Sequence, residues 1–312
     1  MKIALVLGAI HGVYIAGSAA TAAIKFISGG GVAVLFRRKG PDMADVQQAN
    51  IHPTAIVSAQ AILAEDVQIG AYSVIEGKVE LGPGCIIRPH AYLRGPLVLG
   101  SRNTVFSGSV LGEDPQHLKY QNEPTLLEIG DGNVFREHVT VHRGTTASGT
   151  TRIGSDNFFM AGCHIAHDCR IGSRCIFANG ALVAGHCIIE DGVYLSGNCA
   201  IHQFVRMGRQ SLMSGVSATT KDVPPFIIQQ GINIIVGVNV VGMKRNGMAA
   251  DQIEGVRQAF HILYRQGLTV AQALVSIEND LKAISAVEEF VHFIRSSARG
   301  ITLFHERDHK AA

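Results

Sequence analysis

From Ile51 onward an apolar residue returns at every sixth position, through Val57, Leu63, Ile69, Ile75, Leu81, Ile87, Leu93, Leu99, Val105 and Leu111. Polar His117 and Glu123 interrupt the series. It resumes in phase at Ile129 and continues through Phe135, Val141, Ala147 and Ile153 to Met213. Twenty-six of these twenty-eight positions are apolar, where a hydrophobic content of 47% would give about thirteen. A helix repeats at 3.6 residues and a half-buried strand at two, so a period of six belongs to neither. It fits a solenoid of short parallel strands, three to a coil, in which each apolar side chain stacks on its equivalent one coil away. Glycine often follows the periodic residue, as in Ile69-Gly70, Leu99-Gly100 and Ile171-Gly172, and marks a turn at each corner. The expected fold is an all-β parallel β-helix of about nine coils over residues 50–222, with a polar loop projecting at 112–128. Asp222-Val223-Pro224-Pro225 ends the repeat. Helical spacing then takes over in Ile253, Val256, Ala259, Phe260 and Leu263, so residues 223–312 are expected to form a C-terminal α-helical domain with a frayed end after His305.

Residues 1–49 do not share the repeat. No formally charged residue occurs between Ile3 and Ile24, which is long enough for a membrane span, but Gly8, Gly12, Gly17 and Gly29-Gly30-Gly31 weaken any helix there. The segment is expected to be an apolar extension, with Met43 as the working start. A net charge of +2 gives no general affinity for nucleic acid. Cys163, Cys169, Cys175, Cys187 and Cys199 follow spacings of 6, 6, 12 and 12, and Cys85 lies earlier. Such spacing follows the coil, so the cysteines are expected to be small buried residues of a reducing, cytoplasmic compartment.

Histidines cluster at positions 138, 142, 164, 167, 186 and 202, on neighbouring coils near one face. A lone surface histidine means little, but several that converge support one of two chemistries. Three imidazoles could hold a catalytic zinc. Alternatively, one imidazole could serve as general base toward a hydroxyl.

The segments LKYQNEPT (118–125), VTVHRGT (139–145), HIAHDC (164–169), AGH (184–186), HQF (202–204), DVPP (222–225) and MKR (243–245) resemble, in order and spacing, the UDP-N-acetylglucosamine acyltransferases that begin lipid A synthesis. That resemblance implies a left-handed β-helix and transfer of a 3-hydroxyacyl chain from acyl carrier protein to the 3-position of the UDP-sugar, without metal or bound cofactor. It implies that His167 is the general base, Asp168 its support and the Gly185 N–H the oxyanion donor. His117, Lys119, His142, His164, His186, His202, Gln203, Asn239 and Arg245 correspond to substrate-binding positions. Gly215 matches a glycine along which long acyl chains extend. A homotrimer with sites between subunits follows from the same resemblance, with Arg206, Arg209, Lys221, Lys244 and Arg257 as candidates for docking the acidic carrier.

Three positions depart from the family pattern. His117 stands where aspartate is usual, Asn246 where a second basic residue follows Arg245, and Val241 where a glutamate is usual. Imidazole both donates and accepts, so His117 leaves open N-acyl transfer to a 3-amino sugar. A zinc carbonic anhydrase of the same fold is the remaining alternative.

Overall fold

The computed structural model describes residues 51–281 and 283–304, together with two short strands, Ala23–Phe26 and Val32–Leu35. Those two strands pair antiparallel within a separate N-terminal unit. Met43 and the segment after Phe304 lie outside the described residues. Among the described residues no helix is long and apolar enough to cross a membrane.

The repeat folds as a left-handed parallel β-helix. Its three faces are an eight-stranded, an eleven-stranded and a nine-stranded sheet, in which each strand pairs with the equivalent strand of the next coil. Most strands are only two or three residues long, because each must turn a corner before the next begins. The periodic residues from Ile69 to Leu111, and from Ile129 to Met213 apart from Ala147, are buried and fill the prism. Phe135 stacks on Phe159, which meets Phe177 edge-on, with centroids 5.0 and 5.1 Å apart. A second, narrower inward position lies two residues before each periodic one. All six cysteines occupy it, unpaired and buried, with Sγ atoms directed at backbone carbonyls. Burial pushes the Cys163 thiol up to about 11 and that of Cys175 to about 12, so both are inert as nucleophiles. Asn103, Asn133 and Asn157 fill the same position and bond to one another in a ladder at 2.9 Å.

Two insertions leave the prism at one corner, between the nine-stranded and the eight-stranded face. Val105 pairs with Phe135 thirty residues on, where an ordinary coil takes eighteen, and the difference is the loop between Glu113 and Leu126. Val141 then pairs with Ile165, twenty-four residues on, because His142 to Thr150 contains a second loop. The sequence period passes through this second loop unbroken, since an insertion of one six-residue unit preserves phase. Ala147 matches the periodicity and yet is exposed. Nine strands still line the third face, ending at Ala218–Thr219.

Beyond the coils the chain adds an antiparallel pair, Ile227–Gln230 with Ile234–Val238, and four helices: α1 (Val240–Arg245), α2 (Ala250–Arg265), α3 (Val270–Asp280) and α4 (Ser285–Arg295). The apolar spacing seen in α2 is its buried face: Ile253, Val256, Ala259, Phe260 and Leu263 all point inward. Arg209 ties this domain to the prism through a bidentate pair with Glu289, at 2.7 and 2.8 Å.

Candidate active site

The corner that extrudes both loops also carries His142, His167 and His186, with His164 on a strand leading to it, whereas His138 lies at another corner, between the eleven-stranded and nine-stranded faces. On the coil below the second loop, the strand His164–Ile165 ends and the chain turns through Ala166, His167 and Asp168. Asp168 has φ +61°, a left-handed conformation that short polar side chains tolerate. One coil on, Gly185 and His186 occupy the same turn, and one further on stand Gln203 and Phe204. Stacking at 18-residue spacing therefore draws a file of side chains down one edge.

Ring contacts join these side chains in two groups. His142 meets His164 edge-on at 5.1 Å, His167 meets His186 at 5.1 Å, and His186 stacks flat on Phe204 at 4.4 Å. From above, the first loop folds back and sets His117 edge-on against His167 at 5.3 Å. His167 is 8% exposed, and its Nδ1 lies 2.7 Å from the Asp168 carboxylate, which leaves Nε2 as the atom free to meet a substrate. The ring rests against Gly185: a Cβ built there would come within 2.8 Å of His167 Cε1. Among the described residues the Gly185 N–H donates to no atom.

Burial disfavours the charged form of three of these imidazoles, whereas hydrogen bonds favour that of Asp168. Burial, aided by His164, pushes the His142 imidazole down to about 4, and burial likewise lowers His164 and His186. Burial alone would raise Asp168. Hydrogen bonds from His167, Ser148 and Thr145 outweigh it and hold the carboxyl well below the usual range. His142 supplies a stability prediction. Its depressed native pKa means that the unfolded chain takes up a proton below about 6.5 while the native state does so only near 4. The stability it contributes is therefore complete above pH 6.5 and is lost as pH falls toward 4. The melting temperature should drop across that window, and His142→Gln should flatten part of the slope. A variant slope equal to that of the wild type would refute this.

Donor atoms of His167, Asp168 and His186 lie within 4.8 Å of one another. Three imidazoles do not converge in this group, which has two and a carboxylate already bonded to Thr145, Ser148 and His167. His164 turns its Nδ1 to Thr140, at 2.7 Å, and His202 directs its Nδ1 to the Gln203 carbonyl, at 3.1 Å.

Of the residues singled out from the sequence, the structure gathers His117, His142, His164, His167, Asp168, Gly185 and His186 into one site. His202 and Gln203 lie exposed one coil further along the same edge, where Arg299 donates to the Gln203 carbonyl at 2.8 Å. Lys119 is exposed on the first loop and Arg245 at the end of α1. Asn239 is buried, and its carboxamide caps α1 and donates to the Gln210 carbonyl. Gly215 sits at the other end of the nine-stranded face, where an added Cβ would meet only the Gly197 carbonyl, at 3.6 Å. The basic candidates are largely engaged within the chain: Arg206 lies over Phe293, Arg209 pairs with Glu289, Lys221 donates to the Arg299 carbonyl and Arg257 pairs with Glu254. Lys244 is exposed beside Arg245.

Several contributors escaped the sequence reading. Arg143, almost fully buried, roots the first loop by donating to the carbonyls of Gly95 and Gly112, to Asp114 and to the Tyr120 hydroxyl. Thr145, Ser148 and Phe204 complete the site. Arg143, Thr145 and Phe204 lie inside quoted motifs, so a signal was present, but only the coil pairing shows what they touch.

Comparison with known proteins agrees with this geometry. Residues 49–95 and 150–185 match the bacterial transferase hexapeptide family, and residues 222–302 match domain 2 of UDP N-acetylglucosamine O-acyltransferase. The chain is 44% identical over 254 residues to the acyl-[acyl-carrier-protein]--UDP-N-acetylglucosamine O-acyltransferase of Syntrophobacter fumaroxidans, an alignment that covers 80% of this chain and 98% of that one. A similarly named protein of Halorhodospira halophila is also 44% identical, with the same coverage. Among solved structures, LpxA from Acinetobacter baumannii superposes with a TM-score of 0.79 at 39% identity, covering 81% of this chain and all of that one. The Arabidopsis UDP-N-acetylglucosamine acyltransferase does so with a TM-score of 0.71 at 31% identity, covering 81% and 99%.

Proposed function

The chain belongs to the UDP-N-acetylglucosamine O-acyltransferase family, and from that premise we propose how its own residues carry out the reaction. The enzyme transfers an acyl chain from acyl carrier protein to UDP-N-acetylglucosamine, in lipid A synthesis. In our reading the donor is a 3-hydroxyacyl thioester and the acceptor is the sugar 3-hydroxyl. An alkoxide is too basic to exist free at neutral pH, so the proton must leave as the oxygen attacks. His167 Nε2 removes it while the new C–O bond forms. The thioester carbonyl becomes a tetrahedral oxyanion that accepts from the Gly185 N–H. As the C–S bond breaks, His167 returns the proton to the departing carrier thiolate. Asp168 fixes the tautomer that leaves Nε2 unprotonated for the first step.

The observation that carries this reading is the packing of the His167 ring against Gly185, whose N–H is unengaged. It supports a base and an oxyanion donor working from adjacent rungs. His164, His186, His202, Gln203, Lys119 and Arg245 are then assigned to the sugar nucleotide and the thioester arm. Asn239 is assigned to shaping α1 ahead of Arg245. Gly215 opens the far end of the face to a long chain.

The outer surfaces of the prism favour a trimer. The eight-stranded face shows Glu80, Glu128, Arg152 and Arg170 outward, as a solvated surface does. The other two show Tyr92, Val110 and Leu182, and Phe158, Ile176 and Leu212. Two different apolar faces packing one on the other close into a ring. Leu118, fully exposed on the first loop, is then directed at the neighbouring prism. The six unpaired thiols support a cytoplasmic location.

Purified full-length protein, given 3-hydroxyacyl carrier protein and UDP-N-acetylglucosamine, should form the sugar ester and release the carrier thiol one for one. Light scattering should give the mass of three chains. Turnover confined to the 3-amino sugar analogue would overturn the acceptor assignment, and a monomer would overturn the shared site.

A further inference from the structure

The second loop contributes two side chains to Asp168. Thr145 donates its backbone N–H to Oδ1, at 2.9 Å, and its hydroxyl to Oδ2, at 2.7 Å. Ser148 donates its hydroxyl to Oδ1. With His167 Nδ1 on Oδ2, the carboxylate holds two partners on each oxygen. A carboxylate has about four lone-pair sites, so Asp168 is saturated. The donor roles are themselves fixed. Thr145 Oγ1 accepts from the Ala147 N–H at 3.2 Å, which leaves its own hydrogen for the carboxylate. Ser148 Oγ also lies 3.0 Å from the Thr150 carbonyl, but the charged and nearer acceptor takes its one hydrogen.

Two imidazoles compete for this anion. His186 Nε2 is 3.6 Å from Oδ2, just beyond hydrogen-bond range, on the oxygen that His167 uses. The Thr145 hydroxyl occupies the one site on Oδ2 that His186 could fill.

We propose that Thr145 and Ser148 are positioning residues which, by saturating Asp168, decide that His167 and not His186 is the imidazole it orients. On this view the six-residue insertion within the loop 143–149 exists to select the base. The proposal rests on His167 being that base. Without the two hydroxyls, Oδ2 gains a vacant lone pair and the carboxylate is free to swing toward His186. His167 then loses the partner that holds its hydrogen on Nδ1.

The tautomer is directly readable by 15N NMR of the full-length protein with labelled histidine. In the wild type, His167 should show the Nδ1–H form alone. In Thr145→Val combined with Ser148→Ala it should show a mixture of tautomers, with kcat down roughly 10- to 100-fold and KM for both substrates unchanged, because both hydroxyls are turned to Asp168. Thr145→Ser, which keeps the hydroxyl, should restore the single tautomer and the rate. A double variant that keeps one His167 tautomer and a kcat within about twofold of the wild type would overturn the proposal. The NMR readout needs no substrate. Absence of acyl transfer by the wild type would therefore count against the proposed reaction, whereas an unchanged tautomer would count against the clamp.

Discussion

Replacing His167 with alanine should lower kcat by about a thousandfold, within the range a general base contributes, while KM for the UDP-sugar changes little. The variant should fold and assemble as the wild type does, because the imidazole lies at the prism edge and the core beneath it is made of Ile165 and its stacked neighbours Val141 and Val183. What remains is a site that binds both substrates and presents the Gly185 N–H but has no group to accept the hydroxyl proton. His186 is the nearest replacement. Its Nε2 is turned to Asp168 at 3.6 Å, and its ring is stacked on Phe204, so it is poorly placed to take over. The measurement is acyl transfer under saturating carrier, with circular dichroism and light scattering as controls. A variant that retains kcat within about tenfold would remove His167 from the role of base.

The fold could be read from the sequence because its determinant is a one-dimensional period. Apolar side chains that recur every six residues must stack once the chain coils, and the positions from Ile69 to Leu111 are buried as that argument requires. The same periodicity concealed the second loop. An insertion of one repeat unit leaves the phase intact, and Ala147 supplied an apolar residue at the expected place although it is exposed. The histidine site was visible in outline, because residues separated by one coil share an edge. Its polar lining was not. Nothing in the spacing of Thr145 and Ser148 indicates that they reach Asp168, since the insertion alters the register between them. Charge alone did not reveal intrachain partners: Arg206 and Arg209, docking candidates by type, are held by Ser296 and Glu289 at the junction with the helical domain. The sequence marks a guanidinium, but its partner is set by tertiary contact.

His117 illustrates how a departure from a family pattern acquires meaning from geometry. It lies edge-on to the His167 ring, so any contact it makes is made beside the proposed base. An imidazole there donates or accepts according to tautomer, and the His167 ring lies against it. The loop that carries it is rooted by Arg143, whose guanidinium is bonded to four groups of the loop and its base. His117 is therefore held in place from below.

Gly185→Ala should be nearly as damaging as loss of the base, although it adds one methyl group and removes nothing. The new Cβ would lie 2.8 Å from His167 Cε1, 3.0 Å from Nε2 and 3.3 Å from Nδ1. The first is closer than real Cβ atoms come, and the ring cannot yield easily, because Asp168 holds it on one side and His117 and His186 abut it on others. Gly185 does not lie in the left-handed region, so the main chain itself accepts alanine and the coil should survive. The cost falls on the ring, which must rotate away from the N–H it is meant to work beside. A displacement of about 1 Å between base and oxyanion donor is enough to reduce kcat by roughly 100-fold. Gly215→Ala is the informative contrast: its Cβ meets only a carbonyl at 3.6 Å, an ordinary contact, and no part of the histidine file. That variant should keep kcat on short acyl chains and lose it on long ones. If Gly185→Ala turned over like Gly215→Ala on short chains, the apposition of His167 and Gly185 would have no part in the chemistry.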